Sequence, residues 1–206
     1  MMIDEILEMP ASAERQVHDL LRRRWSPRAF AERPVEPTTI RSVLEAARWA
    51  PSSANQQPWS FVVATKEDSA EHARLLGILM EGNVRWARHA PALILVVARL
   101  YTDRDGRTSQ RSLYDAGLAV ANLTTQATAL GLFVHQMGGF YTDKAREAFA
   151  IPDGYEPVVE LALGYLGDPE SLPEDLRTRE TAVRTRKPLE EFVFSGRWGQ
   201  TSPLAA

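Results

Sequence analysis

The sequence predicts a single α+β domain in three layers, with helices on both faces of a mixed sheet of about four or five strands. Three observations carry that expectation. Helical and strand periodicities alternate along the chain. The run Ala92 to Ala98 is apolar on both faces, as a central strand covered on each side must be. The length of 206 residues, with 44% of them apolar, suffices for one core and falls short of two.

Each element follows from its own signals. Ser12 is placed to cap a helix that carries Val17, Leu20 and Leu21 on one face and runs into Arg22, Arg23 and Arg24. Pro27 ends it, because the residue before a proline is pushed out of the helical region. Ile40, Val43, Leu44 and Ala47, spaced by three and four, give a second helix that stops at Pro51. Ser60 to Ala64 is a short strand rich in β-branched and aromatic residues. Leu75, Leu76, Leu79 and Met80 mark a third helix, and Asn83 after Gly82 reads as a helix stop. From Leu113 to Leu130 small residues lie nearly all round a helix, which predicts burial and close approach to other helices. Phe133 to Met137 is a strand, Thr142 caps a short helix through Phe149, and Val158 to Tyr165 is a further apolar strand. After Gly167 the patterns thin out, so residues 168–206 are expected to be an extended tail. A structureless segment of that length is uncommon inside a compact domain, and a second subunit is the most economical thing for it to wrap.

Composition removes several classes of function. A net charge of -3 and a pI near 5.9 give no case for nucleic acid or an anionic membrane surface, so an anion needs a local cationic cluster. No apolar run approaches the ~20 residues of a spanning helix. The start Met1-Met2-Ile3-Asp4-Glu5 is acidic and lacks the order of a secretory signal, and the chain reads as soluble and cytoplasmic. Without cysteine there is no thiol nucleophile or disulfide, and redox chemistry would need a borrowed cofactor.

Several segments can carry chemistry. Arg22, Arg23, Arg24 and Arg28 gather guanidinium forks suited to phosphate oxygens, or else form a solvated helix C-terminus. Arg177, Arg179, Arg184, Arg186 and Lys187 form a second basic cluster that nothing local joins to the first. Asn55, Gln56 and Gln57 offer amides before Trp59, either as a turn anchored by a tryptophan or as a polar edge for a heterocycle. Gly138-Gly139 lets a ligand approach the backbone, or is a plain strand exit. His18, His72, His89 and His135 lack ligand spacing, so no metal site is expected. Asp103-Arg104-Asp105-Gly106 lacks the rest of a calcium loop and reads as a surface turn. Neither a P-loop nor a Rossmann fingerprint is present.

From about Leu20 to Gly199 the chain resembles the FMN-dependent nitroreductase family. The likeness rests on separated segments in the family's order: Arg24-Trp25-Ser26-Pro27-Arg28-Ala29-Phe30, Pro51 to Trp59, Asn83 followed by Ala90-Pro91, Asp115-Ala116-Gly117, Gly131-Leu132, Gly138-Gly139-Phe140, Ala162-Leu163-Gly164-Tyr165, and Arg184-Thr185-Arg186-Lys187-Pro188-Leu189. It implies an α/β/α fold with a mixed, mainly antiparallel sheet, and noncovalently bound FMN reduced by NADH or NADPH. It places Arg24, Arg28, Arg184 and Arg186 at the FMN phosphate. Trp25 lies in the same cofactor-binding segment, and Ser26 and Asn83 are implied at the flavin's polar side. The backbone of Gly138 and Gly139 is implied near the reactive ring nitrogen, with Pro51, Ser52, Ser53 and Asn55 reaching the flavin of the other subunit of a homodimer.

The implied reaction is a two-step hydride transfer to a small electron-poor acceptor such as a nitroaromatic, quinone or activated alkene. No side chain is assigned as general acid, since solvent suffices, and His135, Gln136 and Tyr141 receive no role. A flavin-fragmenting or dehalogenating relative and a non-catalytic flavin binder are the alternatives. Against the first, Ser26 stands where flavin-fragmenting relatives are acidic, and there is no inserted lid.

Overall fold

The computed structural model describes residues 16–102, 106, 108, 109 and 111–205. The expected Ser12 cap and the acidic start lie outside the described residues, as do Asp103, Arg104 and Asp105 of the expected surface turn. The helices are α1 (Asp19–Arg23), α2 (Pro37–Arg48), α3 (Ser69–Ile78), α4 (Glu81–Ala87), α5 (Arg111–Ala129), α6 (Thr142–Phe149) and α7 (Glu174–Glu180). The strands are β1 (Trp59–Thr65), β2 (Ala92–Arg99), β3 (Phe133–Met137) and β4 (Tyr155–Gly164).

The four strands form one sheet in the order β1-β2-β4-β3. Every pairing is antiparallel, so the α+β class holds while the parallel pairing of a mixed sheet is absent among the described residues. As its sequence requires, β2 lies inside the sheet. Leu93, Ile94 and Leu95 are fully buried, each contributing roughly 1.5–3 kcal/mol by leaving water. One apolar layer joins the sheet to α2 and α5 through Val43, Ala47, Val120 and Leu123. The opposite layer joins it to α3, α4, α6 and α7 through Leu75, Trp86, Ala145 and Leu176. Among the described residues no helix is long and apolar enough to cross a membrane.

Four expectations change. Asn83 does not stop a helix but sits inside α4, a seven-residue helix of about two turns that begins after Met80. Thr142 is the first residue of α6 rather than its cap; Tyr141 holds the cap position and makes no side-chain cap bond. The small-residue face of α5 is one-sided in the single chain: Ala116, Ala119 and Ala127 are buried, whereas Gly117, Ala121 and Ala129 are exposed. The tail is not uniformly extended. Pro169–Ser171 forms a 3-10 turn and α7 follows, docking Leu172 and Leu176 into the chain's own core. Arg85 of α4 fastens α7 from outside through Asp175 at 2.8 and 2.9 Å. Beyond Thr181 come two short 3-10 turns, Leu189–Glu191 and Pro203–Ala205, and the bridge Phe194 to Thr201. Val183, Trp198 and Leu204 are more than four-fifths exposed there, a poor arrangement for apolar side chains unless something covers them.

The segment after α1 is laid against the exit of β4. Ala31 N–H donates to the Tyr165 carbonyl at 3.0 Å and Gly167 N–H to the Ala29 carbonyl at 2.9 Å. A Cβ on Gly167 would fall 2.5 Å from the Phe30 carbonyl carbon, so only glycine permits this approach.

Candidate functional site

The two basic clusters, more than 150 residues apart in sequence, meet. Arg184 reaches back and donates to the carbonyls of Arg22 and Arg24, both at 2.9 Å. Arg24 leaves α1 with extended dihedrals, and its Nη1 donates to Ser26 Oγ at 3.3 Å. Burial lowers the pKa of the Arg24 guanidinium, and the nearby charges of Arg184 and Arg186 lower it further. Arg184 is lowered in the same way, by burial and then by Arg186. Arginine keeps its charge through shifts of this kind, so three like charges are held together, an arrangement that a polyanion would relieve. Arg177 and Lys187 do not join it; they pair on the surface with Glu170 at 2.6 Å and Glu191 at 3.5 Å.

Arg28 faces a carboxylate. Its guanidinium lies 3.8 Å from Glu180, a carboxylate with 1% of its side chain exposed. The same carboxylate accepts the backbone N–H of Arg28 at 2.8 and 2.9 Å and that of Ala29 at 2.9 Å. Trp25 is a core residue, 7% exposed and edge-on to Phe133 at 6.0 Å between ring centroids.

His135, unassigned on sequence grounds, supports the arginine turn from below. It projects from β3 to within 2.8 Å of the Pro27 carbonyl; a carbonyl only accepts, so Nδ1 carries the hydrogen. Its ring lies against Trp86 with centroids 4.4 Å apart. Burial lowers its pKa to about 4, outweighing the contact with Pro27, and Arg28 and Arg24 add to the lowering. At neutral pH His135 is therefore an uncharged strut.

At the end of β3 the chain opens. Among the described residues no hydrogen bond engages the N–H of Gly138 or Gly139, and a Cβ on Gly138 would meet nothing within 4 Å. The Gly139 carbonyl is fully used, accepting Met80 N–H at 3.0 Å and Asn83 Nδ2 at 3.0 Å. One side-chain N–H of Asn83 is therefore spent inside the chain. Two free backbone donors beside an open Cα suit an acceptor atom on a flat ring.

The loop Pro51 to Pro58 carries backbone strain. Ala54, Asn55 and Gln57 all have positive φ, at 50°, 56° and 45°, without being glycine. The conformation is held by Asp115 Oδ2, which accepts Ser53 N–H at 3.0 Å, by Ser52 Oγ, which accepts Gln57 N–H at 2.9 Å, and by Arg99 Nη2, which donates to the Gln56 carbonyl at 3.1 Å. Asp115 belongs to α5, on the α2/α5 side of the sheet, whereas Gly139 and Asn83 meet on the α3/α4 side. Within one chain, Pro51, Ser52, Ser53 and Asn55 thus form a second polar edge, separate in its anchoring from the glycine pair.

A further buried acid escaped the sequence. Glu160 of β4 is fully buried, opposite Leu95 of β2 and Met137 of β3, and neither carboxylate oxygen has a hydrogen-bond partner among the described residues. Burial pushes its pKa up to about 8. No group of three metal-ligating side chains occurs among the described residues.

The nitroreductase family model matches residues 21–165. A 15.4 kDa protein of Mycolicibacterium smegmatis, itself uncharacterised, is 41% identical over 137 residues, covering 66% of this chain and 90% of its own length. A protein of Xanthomonas oryzae pv. oryzae, provisionally named an NADH dehydrogenase/NAD(P)H nitroreductase, is 31% identical over 163 residues, covering 70% of this chain and 81% of its own. Among solved structures, an oxidoreductase containing FMN is 40% identical with a TM-score of 0.87, across 92% of this chain and 96% of that one. A nitroreductase family protein from Clostridium difficile 630 is 29% identical with a TM-score of 0.68, across 86% and 96%. The matched span takes in the arginine turn, the strained loop, α4, the glycine pair and the whole sheet, and the chain belongs to the nitroreductase family of oxidoreductases.

Proposed function

We propose that this protein is a cytoplasmic, homodimeric FMN-dependent oxidoreductase that uses NADH or NADPH to reduce small electron-poor acceptors such as nitroaromatics, quinones or activated alkenes. The observation that carries the reading is the convergence of Arg24, Arg184 and Arg186, a cationic group with the charge and fork geometry for a terminal phosphate. The glycine pair supplies what the other end of such a ligand needs, two N–H donors unused among the described residues, with the space beside Gly138 open. When bound, FMN supplies the redox chemistry, taking hydride from a reduced nicotinamide and passing it to the acceptor in two successive steps.

The chain's own residues bind and orient. Arg24, Arg184 and Arg186 hold the phosphate, and Arg28 adds its charge from beside Glu180. Ser26 and Asn83 address the polar edge of the ring. Gly138 and Gly139 aim preorganised donors at the place where negative charge develops on reduction. His135 fixes the arginine turn and, being uncharged, is not the proton donor; solvent fills that role. Pro51, Ser52, Ser53 and Asn55 serve the site of the partner subunit. That assignment accords with their anchoring on α5, whose outer face carries the exposed Gly117, Ala121 and Ala129. The segment from Thr181 onward, with its exposed Val183, Trp198 and Leu204, covers the second copy.

The test is direct. The purified protein should be yellow, and adding NADH or NADPH without oxygen should bleach the flavin absorbance, which a nitroaromatic or quinone then restores. A colourless protein that fails to quench added FMN fluorescence removes the cofactor. A yellow protein that neither nicotinamide bleaches is a flavin binder and not this enzyme.

A further inference from the structure

The turn Arg24 to Ala29 belongs to no helix or strand, and one short stretch of the C-terminal segment meets several of its backbone polar groups. Glu180, at the last position of α7, takes the N–H groups of Arg28 and Ala29 at 2.8 to 2.9 Å. Pro27 has no N–H to give, so these are the first donors the chain offers after the proline. Four residues on, Arg184 takes the carbonyls of Arg22 and Arg24. An acid thus holds two donors of the turn, and a base holds its first carbonyl together with that of Arg22 just before it.

We propose that Glu180 is a positioning residue for phosphate binding: it fixes the arginine turn through the Arg28 and Ala29 amides and so ties phosphate affinity to the docking of α7. This rests on the reading of Arg24, Arg184 and Arg186 as the FMN phosphate site. Glu180 does not touch that ligand. Its charge is spent inside the protein, on two backbone amides and on the Arg28 guanidinium 3.8 Å away. It therefore offsets Arg28 and does not itself face the anion. Since α7 is fastened by Leu172, Leu176 and the Arg85–Asp175 pair, anything that loosens α7 loosens the turn. By linkage, phosphate binding should tighten α7 in return.

The experiment compares wild-type protein with Glu180→Gln and Glu180→Ala. FMN and riboflavin affinities are read by quenching of flavin fluorescence, and hydrogen exchange is followed at the Arg28 and Ala29 amides and along α7. Glu180→Ala should weaken FMN by about tenfold or more while changing riboflavin little. It should also abolish protection of those two amides and of α7. Glu180→Gln keeps an acceptor oxygen of the same reach, and it should recover part of both effects and remain folded if the alanine variant does not. Unchanged exchange at Arg28 and Ala29, or equal weakening of FMN and riboflavin in Glu180→Gln, overturns the proposal. The exchange readout needs no flavin: wild-type protein that binds neither FMN nor riboflavin would end the cofactor reading, while protection lost in flavin-free variants still reports on Glu180's grip.

Discussion

Asn83 donates its side-chain N–H to the Gly139 carbonyl across 3.0 Å, and a Cβ placed on Gly139 would lie 2.8 Å from that same nitrogen. Each residue therefore needs the other in its present form. Gly139→Ala should cost about 1–3 kcal/mol through overpacking at this contact. Asn83→Ala removes the obstruction as well as the bond, so the double variant should be more stable than the two single losses summed. Thermal melts of the four proteins form the cycle; strictly additive losses would mean that the contact does not exist in solution. Asn83→Ala should also retain some FMN while lowering its reduction potential and slowing its reduction in stopped flow, because Gly139 loses its support.

The arginines should not be equivalent. Arg24→Ala and Arg186→Ala remove charges that pair with no carboxylate among the described residues, and each should weaken FMN at least tenfold more than it weakens riboflavin. Arg28→Ala should discriminate less, because Glu180 already faces that guanidinium. Parallel titrations with the two flavins decide it. A larger discrimination for Arg28 than for Arg24 would reverse the assignment.

Glu160 gives a pH dependence of unusual sign for a carboxylate. In the unfolded chain it ionises near its ordinary value of 4.5, whereas in the fold burial holds it protonated up to about 8. Between those values the native state binds the extra proton. Its contribution to stability therefore falls as pH rises through the window, by up to about 1.4 kcal/mol per pH unit, and levels off above it. Glu160→Met, similar in size and without the charge, should flatten that slope and raise stability at pH 8 by roughly 1–3 kcal/mol. Denaturant melts from pH 5 to 9 measure both effects. An identical slope in the variant would assign the dependence to other groups.

Asp115 should act through one bond. Asp115→Ala strips Ser53 N–H of its acceptor and should cost about 1–3 kcal/mol while loosening the strained loop. Asp115→Asn keeps an acceptor oxygen and should lose much less. If the loop serves a bound flavin, affinity should follow the same order. Equal affinity in both variants would separate the loop from the ligand.

What the sequence could reveal depended on how far apart the causes lie. The unbroken apolar run Ala92 to Ala98 announces an inner strand because both its faces are covered, and spacing of three and four places Ile40, Val43 and Ala47 toward the core. The helix α7 is illegible because Leu176 is the one apolar residue within it, flanked by Leu172 and charged or polar positions, too little to show a period. Glu160 hides for the opposite reason. It stands inside Val158-Val159-Glu160-Leu161-Ala162-Leu163, which reads as a strand whatever its one acid does. In the site, the residue types of the arginine turn and the glycine pair could be read locally and assembled by family likeness. The grips that set their geometry could not: His135 meets Pro27 across 108 positions and Glu180 meets Arg28 across 152, distances over which a linear pattern carries no information.

The sheet order leaves β1 at an edge, and that strand reads Trp59-Ser60-Phe61-Val62-Val63-Ala64-Thr65, with no charge, no proline and much β-branched or aromatic surface. Such a border lacks the usual devices against runaway pairing with other molecules. Solubility during expression should then hinge on how quickly that border is covered. Lysine in place of the exposed Ser60, a gatekeeper on the open side of the strand, should reduce inclusion-body formation and thioflavin-positive material.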